Sequence, residues 1–393
     1  MKRLKTELNA LVNRGVDRHL RLAVTGLSRS GKTAFITALV NQLLNIHTGA
    51  RLPLLSAARE ERLLGVKRVP QRDFGIPRFT YDEGLAQLYG QPPMWPTPTR
   101  GVSEIRLALR YRSNDSLLRH FKDTSTLYLE IVDYPGEWLL DLPMLAQDYL
   151  SWSRQMTGLL QGQRAEWSAR WRQLCAGLDP LAPADEARLA DIAAAWTDYL
   201  HACKREGLHF IQPGRFVLPG EMAGAPALQF FPWPDVDAVG EAKLAQADKH
   251  SNAGMLRERY KYYCERVVKG FYKEHFLRFD RQIVLVDCLQ PLNSGPQAFN
   301  DMRLALTQLM QSFHYGQRTL FRRLFSPVID KLLFAATKAD HVTIDQHSNM
   351  VSLLQQLIQD AWQNAAFEGI SMDCLGLASI QATQSGLIEV NGE

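Results

Sequence analysis

Short apolar runs and stretches with helical periodicity alternate along the chain, as they do in proteins built from strands and helices. Runs of strand length stand at 22–25, 126–132, 283–288, 332–336 and 370–379. The segment 102–111 instead alternates apolar and polar residues, which predicts a half-buried strand at the edge of the sheet. Apolar positions recur at helical spacing after the first run, and again within 297–322 and 345–366. The pattern predicts an α/β fold with helices on both faces of the sheet.

The middle of the chain lacks strand patterns and is predicted to be mostly helical. Helical periodicity extends over 145–177, 184–207 and 241–279. We therefore expect a large insertion in the α/β sheet, with 151–280 as an inserted helical domain and 1–150 plus 281–393 as one discontinuous domain. Within the insertion, the aromatic residues of 258–279 are expected to pack the bundle, although its basic residues could also face an acidic partner.

Composition narrows the class of protein. The chain has 393 residues, 46% of them hydrophobic and 22% charged, as in ordinary globular proteins. A net charge of +4 does not indicate nucleic-acid binding. The five cysteines lack paired C-x-x-C spacing, and no apolar run approaches the length of a membrane span. We expect a cytoplasmic protein whose membrane contact is at most peripheral. Such contact would come from a basic amphipathic helix predicted at 1–20, although this helix is more typical of one that packs on the body of the domain.

A phosphate-binding loop is predicted directly after the first strand. Residues 26–33 read GLSRSGKT and fit G-x-x-x-x-G-K-[ST], between a strand and a helix. In this motif the backbone N–H groups surround the phosphates, so the candidate ligands are Gly26, Ser28, Arg29, Ser30, Gly31, Lys32, Thr33 and Ala34. Lys32 would reach the β and γ phosphates, and the Thr33 hydroxyl would hold Mg²⁺.

Two further motifs follow strands in the same way. Asp133 ends an apolar run and begins D-x-x-G, so its carboxylate is a candidate Mg²⁺ ligand and the N–H of Gly136 could meet a γ-phosphate. Thr337-Lys338-Ala339-Asp340 fits [NT]-K-x-D. The Asp340 carboxylate can accept two hydrogen bonds from guanine that adenine cannot donate, which predicts guanine specificity.

These three motifs, in this order, resemble the set found in Ras-like P-loop GTPases. The segments GLSRSGKT, VDYPGEWLLDLP, PGRFVLPGEMAGAPAL, DRQIVLVDCLQPLNSGP and LLFAATKADHV resemble one bacterial family, the YcjX-type stress-induced GTP-binding proteins. The resemblance implies a Ras-like GTPase sheet that binds GTP or GDP with Mg²⁺, interrupted by a helical insertion. It also implies a cytoplasmic, stress-linked role with an unknown protein client, and self-association is left open.

The remaining site predictions concern catalysis and the first switch. The segment 51–99 predicts a long, partly extended loop with short helical pieces, either a nucleotide-sensing switch or a surface excursion. Thr99 stands two residues before Gly101, a spacing that resembles heterotrimeric G-protein α subunits, so it is the candidate Mg²⁺ threonine, with Thr97 as the alternative. Ser379 or Ile380 is the candidate for contacting the guanine O6 atom.

Two charged residues are candidates for catalysis. Glu137 follows D-x-x-G where Ras-like proteins often carry a glutamine, and its charge would oppose that of a γ-phosphate. Arg29 occupies the place in the loop where guanylate-binding proteins carry an internal arginine finger, although it could also point into solvent.

Two other functions remain open at this stage. A P-loop ATPase or small-molecule kinase would share the first two motifs but would not prefer GTP. A nucleotide-bound scaffold without turnover would share all three.

Overall fold

The computed structural model describes residues 18–48, 52, 55–98, 100–112, 124–314, 329, 331–359, 362–363, 370–383 and 386. Within them the chain forms a mixed seven-stranded sheet with helices on both faces, which confirms the predicted α/β class. The strands are β1 Arg18–Gly26, β2 Leu63–Arg68, β3 Ser103–Arg112, β4 Thr124–Asp133, β5 Arg281–Val286, β6 Lys331–Ala336 and β7 Ser371–Gly376.

The strand order places five parallel strands side by side. The order is β2-β3-β4-β1-β5-β6-β7, and only β3 runs against its neighbours. The C-terminal halves of the parallel strands β1, β5 and β6 are largely apolar and buried because helices cover both faces of the sheet. Their carboxyl ends therefore meet at one edge of the sheet, where ligands bind in open α/β sheets.

The helices in the first part of the chain are few. They are α1 Lys32–Leu44, α2 Ser56–Arg59 and α3 Tyr81–Tyr89. Helix α1 buries Ile36, Val40 and Leu43 in a hydrophobic cluster with one face of the sheet. A second, larger cluster lies on the other face and continues into the helices that follow β4.

Every element described between β4 and β5 is helical. These elements are a 3₁₀ segment Gly136–Ala146, α4 Tyr149–Gly158, α5 Gln163–Trp167, α6 Ala169–Cys175, α7 Glu186–Arg205, α8 Gly214–Val217, short 3₁₀ turns at Gly220–Met222 and Pro226–Leu228, α9 Val236–Val239, α10 Glu241–Ala245, α11 Asn252–Tyr262, a π-helical stretch Tyr263–Val268, α12 Lys269–Glu274 and a 3₁₀ turn Phe276–Arg278. The division of this region from the sheet as a separate domain stays a prediction.

The last part of the chain alternates strands and helices again. Helices α13 Leu289–Ser294 and α14 Pro296–His314 follow β5, and α15 His347–Leu357 lies between β6 and β7. Two 3₁₀ turns, Ala339–His341 and Ile344–Gln346, lead from β6 to α15. In the part of the chain that the structure describes, no helix has both the length and the apolar character needed to cross a bilayer.

The prediction for 51–99 was incomplete, and that for 102–111 was wrong about the sheet edge. The segment 51–99 contains β2, which pairs antiparallel with β3. As a result β3 is an interior strand of the sheet, and β2 is the edge strand next to it. The short run LLGVKR was not recognised because Gly65 interrupts it and basic residues surround it. The register also shifts between Leu63 and Gly65, so the strand lacks a clean alternation.

Other boundaries differ from the predictions as well. The predicted helices 145–177 and 241–279 are broken into shorter ones, the second by a turn at 246–251. Residues 18–20 belong to β1 rather than to an N-terminal helix, and 1–17 lie outside the described residues. The expected aromatic packing of 258–279 is confirmed for Tyr260, Tyr263, Phe271 and Tyr272, which are buried, but Tyr262 is 53% exposed.

Candidate functional site

The loop between β1 and α1 has a backbone that only particular residues can adopt. Gly31 has φ 78° and Arg29 has φ 65°, both in the left-handed region. A β-carbon on Gly26 would lie 2.1 Å from Ser30 Oγ and 2.9 Å from the Leu285 carbonyl oxygen, so a side chain cannot be placed there. The loop leads directly into α1, whose free N–H groups and positive dipole end face the same space.

Lys32 is held by groups at the end of β4. Its Nζ lies 2.6 Å from Asp133 Oδ1 and donates to the Tyr134 carbonyl oxygen at 2.6 Å. The Asp133 side chain is only 1% exposed, so this ammonium offsets a buried charge. A phosphate ligand would therefore compete with Asp133 for Lys32.

The D-x-x-G segment lies directly against the phosphate-binding loop. A β-carbon on Gly136 would lie 2.2 Å from the Gly26 carbonyl oxygen, so the two backbones touch and residue 136 must be glycine. This close approach brings the end of β4 to the loop at 26–33, as the motif predicts.

The last turn of α7 reaches the same place from the helical region. Lys204 Nζ lies 2.7 Å from Glu137 Oε1, and Arg29 Nη2 donates to the Arg205 carbonyl oxygen at 2.9 Å. His201 lies one turn earlier, and burial, followed by the charge of Lys204, lowers its pKa. The helical region thus contacts both the phosphate-binding loop and the residue after D-x-x-G.

The loop after β6 is shaped by two contacts with β5 and its end. The Thr337 N–H donates to the Val286 carbonyl oxygen at 2.9 Å. Its hydroxyl also donates to that oxygen, at 3.4 Å. Lys338 has φ 61° and places its Nζ 2.5 Å from Asp287 Oδ2. The Lys338 side chain therefore extends toward the end of β5, and the residue also lines the site.

Asp340 follows β6, which lies two strands away from β1 in the sheet, and it contacts the loop after β7. Asp340 Oδ2 accepts the Ala382 N–H at 2.9 Å, and the Thr383 hydroxyl donates to the backbone carbonyl oxygen of Asp340. A carboxylate has about four lone-pair positions, so Asp340 can keep the Ala382 bond and still accept from a bound base.

These elements surround one cavity of about 900 Å³ at the carboxyl edge of the sheet. The charged Lys, Arg, Asp and Glu residues that line it are Arg29, Lys32, Arg100, Lys204, Arg205 and Lys338 against Glu137 and Asp340. Cations thus outnumber anions, as expected of a site for a polyphosphate.

Most of the predicted site residues meet in this cavity. Those that line it are Gly26, Ser28, Arg29, Ser30, Gly31, Lys32, Thr33, Ala34, Gly136, Glu137, Thr337, Lys338, Asp340, Ser379 and Ile380. Asp133 lies behind Lys32, and Thr99 lies outside the described residues. The alternative, Thr97, lines the cavity and exchanges two hydrogen bonds of 2.9 Å with Gln87 of α3.

Among the cavity residues that the sequence did not indicate are His201, Lys204, Arg205 and Ala382. His201, Lys204 and Arg205 belong to α7, far from every motif in the chain, and only the packing of the helical region brings them to the site. Ala382 stands two positions beyond Ile380. The pattern located the loop after β7 but not which of its N–H groups would face Asp340.

The chemistry of the donors at the phosphate end fits a magnesium ion. Thr33 offers a hydroxyl oxygen and Asp133 a carboxylate, the hard oxygen ligands that Mg²⁺ prefers, and phosphates and waters normally complete its octahedron. Among the residues that the structure describes, no group of three or more His, Cys, Asp or Glu comes together as metal ligands.

Comparison with known proteins assigns the chain to a family. It is 91% identical to a protein named Ras-like GTPase YcjX from Escherichia coli strain K12, over all 393 of its residues and 84% of the relative. It is 47% identical to a Shewanella oneidensis protein of the same name, over 99% of this chain and 82% of the relative. A model of the YcjX-like family, DUF463, matches residues 20–393. The chain therefore belongs to the YcjX-like family.

Proposed function

We propose that this protein binds guanine nucleotide in the cavity, hydrolyses GTP to GDP and phosphate, and acts as a nucleotide-dependent switch. The observation that carries the proposal is the convergence of three motifs, from the ends of β1, β4 and β6, around one cavity in which cationic side chains outnumber anionic ones. The names of the two relatives support the same activity.

The phosphates bind at the end formed by the loop of 26–33. Backbone N–H groups of this loop and the N-terminus of α1 surround them, as in other P-loop sites. Lys32 exchanges its contacts with Asp133 and the Tyr134 carbonyl for contacts with phosphate oxygens. Its side chain already reaches from the start of α1 to the end of β4.

The base binds at the end formed by Asp340. Its carboxylate accepts N1–H and the exocyclic amine of guanine, while the stem of Lys338 lies along the base. The O6 atom takes an N–H from the loop after β7, where Ser379, Ile380 and Ala382 all line the cavity. Adenine offers no donor to Asp340 in this orientation, which gives the site its preference.

Hydrolysis is attack of water on the γ-phosphoryl group, and the protein contributes position and charge. The Gly136 N–H faces the γ-phosphate, and the Arg29 guanidinium neutralises charge that develops between the β and γ phosphates. Thr33 and Asp133, with Thr99 or Thr97, would hold Mg²⁺, which supplies charge neutralisation of the phosphates when bound.

The switch role follows from what touches Gly136 and Glu137. These residues meet the γ-phosphate, and Glu137 contacts α7 and the segment 213–221 of the helical region. A change in the phosphate is thereby passed to the helices, and a protein client would detect it there.

The test compares GTP with ATP as competitors for a fluorescent GDP analogue. Wild-type protein should prefer GTP, and Asp340→Ala should lower GTP affinity by about 30-fold, because the loss of a buried charge-assisted pair costs about 2 kcal/mol or more. Asp345→Ala is the control, since Asp345 is exposed and does not line the cavity. Equal binding of ATP and GTP by the wild type would contradict the guanine assignment.

A further inference from the structure

A carboxylate stands at the phosphate end of the cavity, where a negative charge opposes the ligand. Glu137 follows Gly136 directly, lines the cavity together with the phosphate-binding loop and is only 7% exposed. Water therefore screens its charge poorly. A γ-phosphate beside Gly136 would place a like charge close to this side chain.

Among the described residues, Lys204 is the cation that pairs with Glu137. Its Nζ is 2.7 Å from Glu137 Oε1, and the two side chains are 25% and 9% exposed. The ion pair joins the residue after D-x-x-G to the last turn of α7, a helix that lies in the helical region rather than in the sheet. Both residues line the cavity, so the pair faces the ligand site directly.

The C-terminal part of α7 and the chain beyond it are held by a buried arginine and its partner aspartate. The buried Arg164 donates to Tyr199 Oη at 2.8 Å and pairs with Asp301 at 2.6 Å. Asp301 Oδ2 in turn accepts the Phe210 N–H at 3.0 Å, just beyond the end of α7. Lys204 therefore extends from a fixed backbone, so its ammonium is positioned before a ligand arrives.

We propose that Lys204 is a positioning residue that neutralises Glu137 and so allows a triphosphate to bind beside Gly136. The inference rests on the proposed function. It assigns a role in recognising the γ-phosphate to the helical region. GDP lacks the γ-phosphate, so the pair should matter much less for GDP than for GTP.

The experiment measures the affinities of a non-hydrolysable GTP analogue and of GDP for matched variants. Lys204→Met keeps the length of the side chain and removes its charge. It should lower affinity for the GTP analogue about tenfold relative to wild type, because Glu137 then repels the γ-phosphate, and should change GDP affinity by less than about threefold. Lys204→Arg should keep the wild-type ratio of the two affinities. Lys243→Met, an exposed lysine of α10 outside the cavity, is the control.

A second variant tests whether Lys204 acts through Glu137. In the double variant Glu137→Gln with Lys204→Met, the carboxylate is gone, so the wild-type ratio should return. A ratio that stays low in the double variant, or a single variant that weakens GDP and the GTP analogue equally, overturns the inference. If Lys204→Met does not fold, Lys204→Gln, which also removes the charge but keeps a polar group at Glu137, replaces it with the same expected loss of affinity for the GTP analogue.

Failure of the proposed function gives a different result. In that case the wild-type protein and the Lys243→Met control bind neither GDP nor the GTP analogue in preference to adenine nucleotides. If wild-type protein binds both guanine nucleotides and Lys204→Met leaves their ratio unchanged, only the role of Lys204 is wrong.

Discussion

Arg29 has the geometry of a residue that can turn toward a bound phosphate. Its backbone is held at φ 65° between two motif residues, and its side chain is exposed. The one contact described for its guanidinium is to the Arg205 carbonyl oxygen at 2.9 Å. A neutral carbonyl is a weaker partner than a phosphate, so a nucleotide should recruit the guanidinium.

We expect Arg29→Ala to lower kcat by at least about tenfold while GTP affinity stays nearly unchanged, because the arginine acts mainly on charge that develops in the transition state. Steady-state phosphate release and equilibrium binding measure the two effects separately. Arg170→Ala removes an exposed arginine of α6 and is the control. Glu137→Gln should change kcat less than Arg29→Ala. Wild-type turnover by Arg29→Ala would exclude an internal finger and favour an arginine supplied by a partner.

At the scale of elements, the segment after D-x-x-G packs tightly against the segment 213–221, which contains α8. A β-carbon on Gly214 would lie 2.2 Å from the Glu137 carbonyl oxygen. Trp138 Nε1 donates to the Leu218 carbonyl oxygen at 3.0 Å, and the Arg215 guanidinium lies 3.3 Å from the centre of the Trp138 ring. Neither segment can move far without the other.

Hydrogen exchange should therefore change in both segments together. Residues 137–160 and 213–221 should exchange more slowly with a GTP analogue than with GDP, since contacts to the γ-phosphate order Gly136 and Glu137. No residue of helix α15 lines the cavity, so this helix provides an internal reference. Identical exchange in the two nucleotide states would contradict the proposed coupling of the helical region to the nucleotide.

The same 3₁₀ segment contains a buried acid that should make stability depend on pH. Asp141 accepts from Tyr263 Oη at 2.5 Å and from the Gly214 N–H at 2.8 Å. Burial raises the pKa of Asp141 to about 7 from 3.8, although these hydrogen bonds oppose the rise. Between these values the folded protein binds a proton that the unfolded chain has lost. The stabilisation of the folded protein by this proton is therefore complete below about pH 4, and it declines as the pH rises toward 7.

Asp141→Asn removes this titration. The free energy of unfolding of wild type minus that of Asp141→Asn should fall as pH rises from 4 to 7, by at most about 1.4 kcal/mol per pH unit. Denaturant unfolding at several pH values measures this difference. A difference that is constant or increases with pH would show that Asp141 is ionised throughout in the folded protein.

Some elements could be predicted from sequence because local physics determines them. The apolar runs that end at Asp133 and Thr337 form β4 and β6, and the glycines between β1 and α1 specify the loop. β2 was missed because its register shifts between Leu63 and Gly65 and its stability comes from pairing with β3.

At the scale of the whole molecule, the site combines segments that are distant along the chain. Lys204 lies 67 positions after Glu137, and the contact between them depends on how the helical region packs. A pattern within one segment carries no information about such a contact. The motifs therefore predicted many of the residues that line the cavity, but not the cations of α7 or Ala382.

Hydrolysis of GTP within this cavity is the central claim, and single-turnover phosphate release tests it most directly. Excess wild-type protein is mixed with γ-labelled GTP and Mg²⁺, and bound GTP, GDP and free phosphate are followed in time. The account predicts that phosphate appears in step with GDP, and that Lys32→Ala, which removes the loop lysine, abolishes its release. GTP that stays bound and intact on wild-type protein would contradict the account.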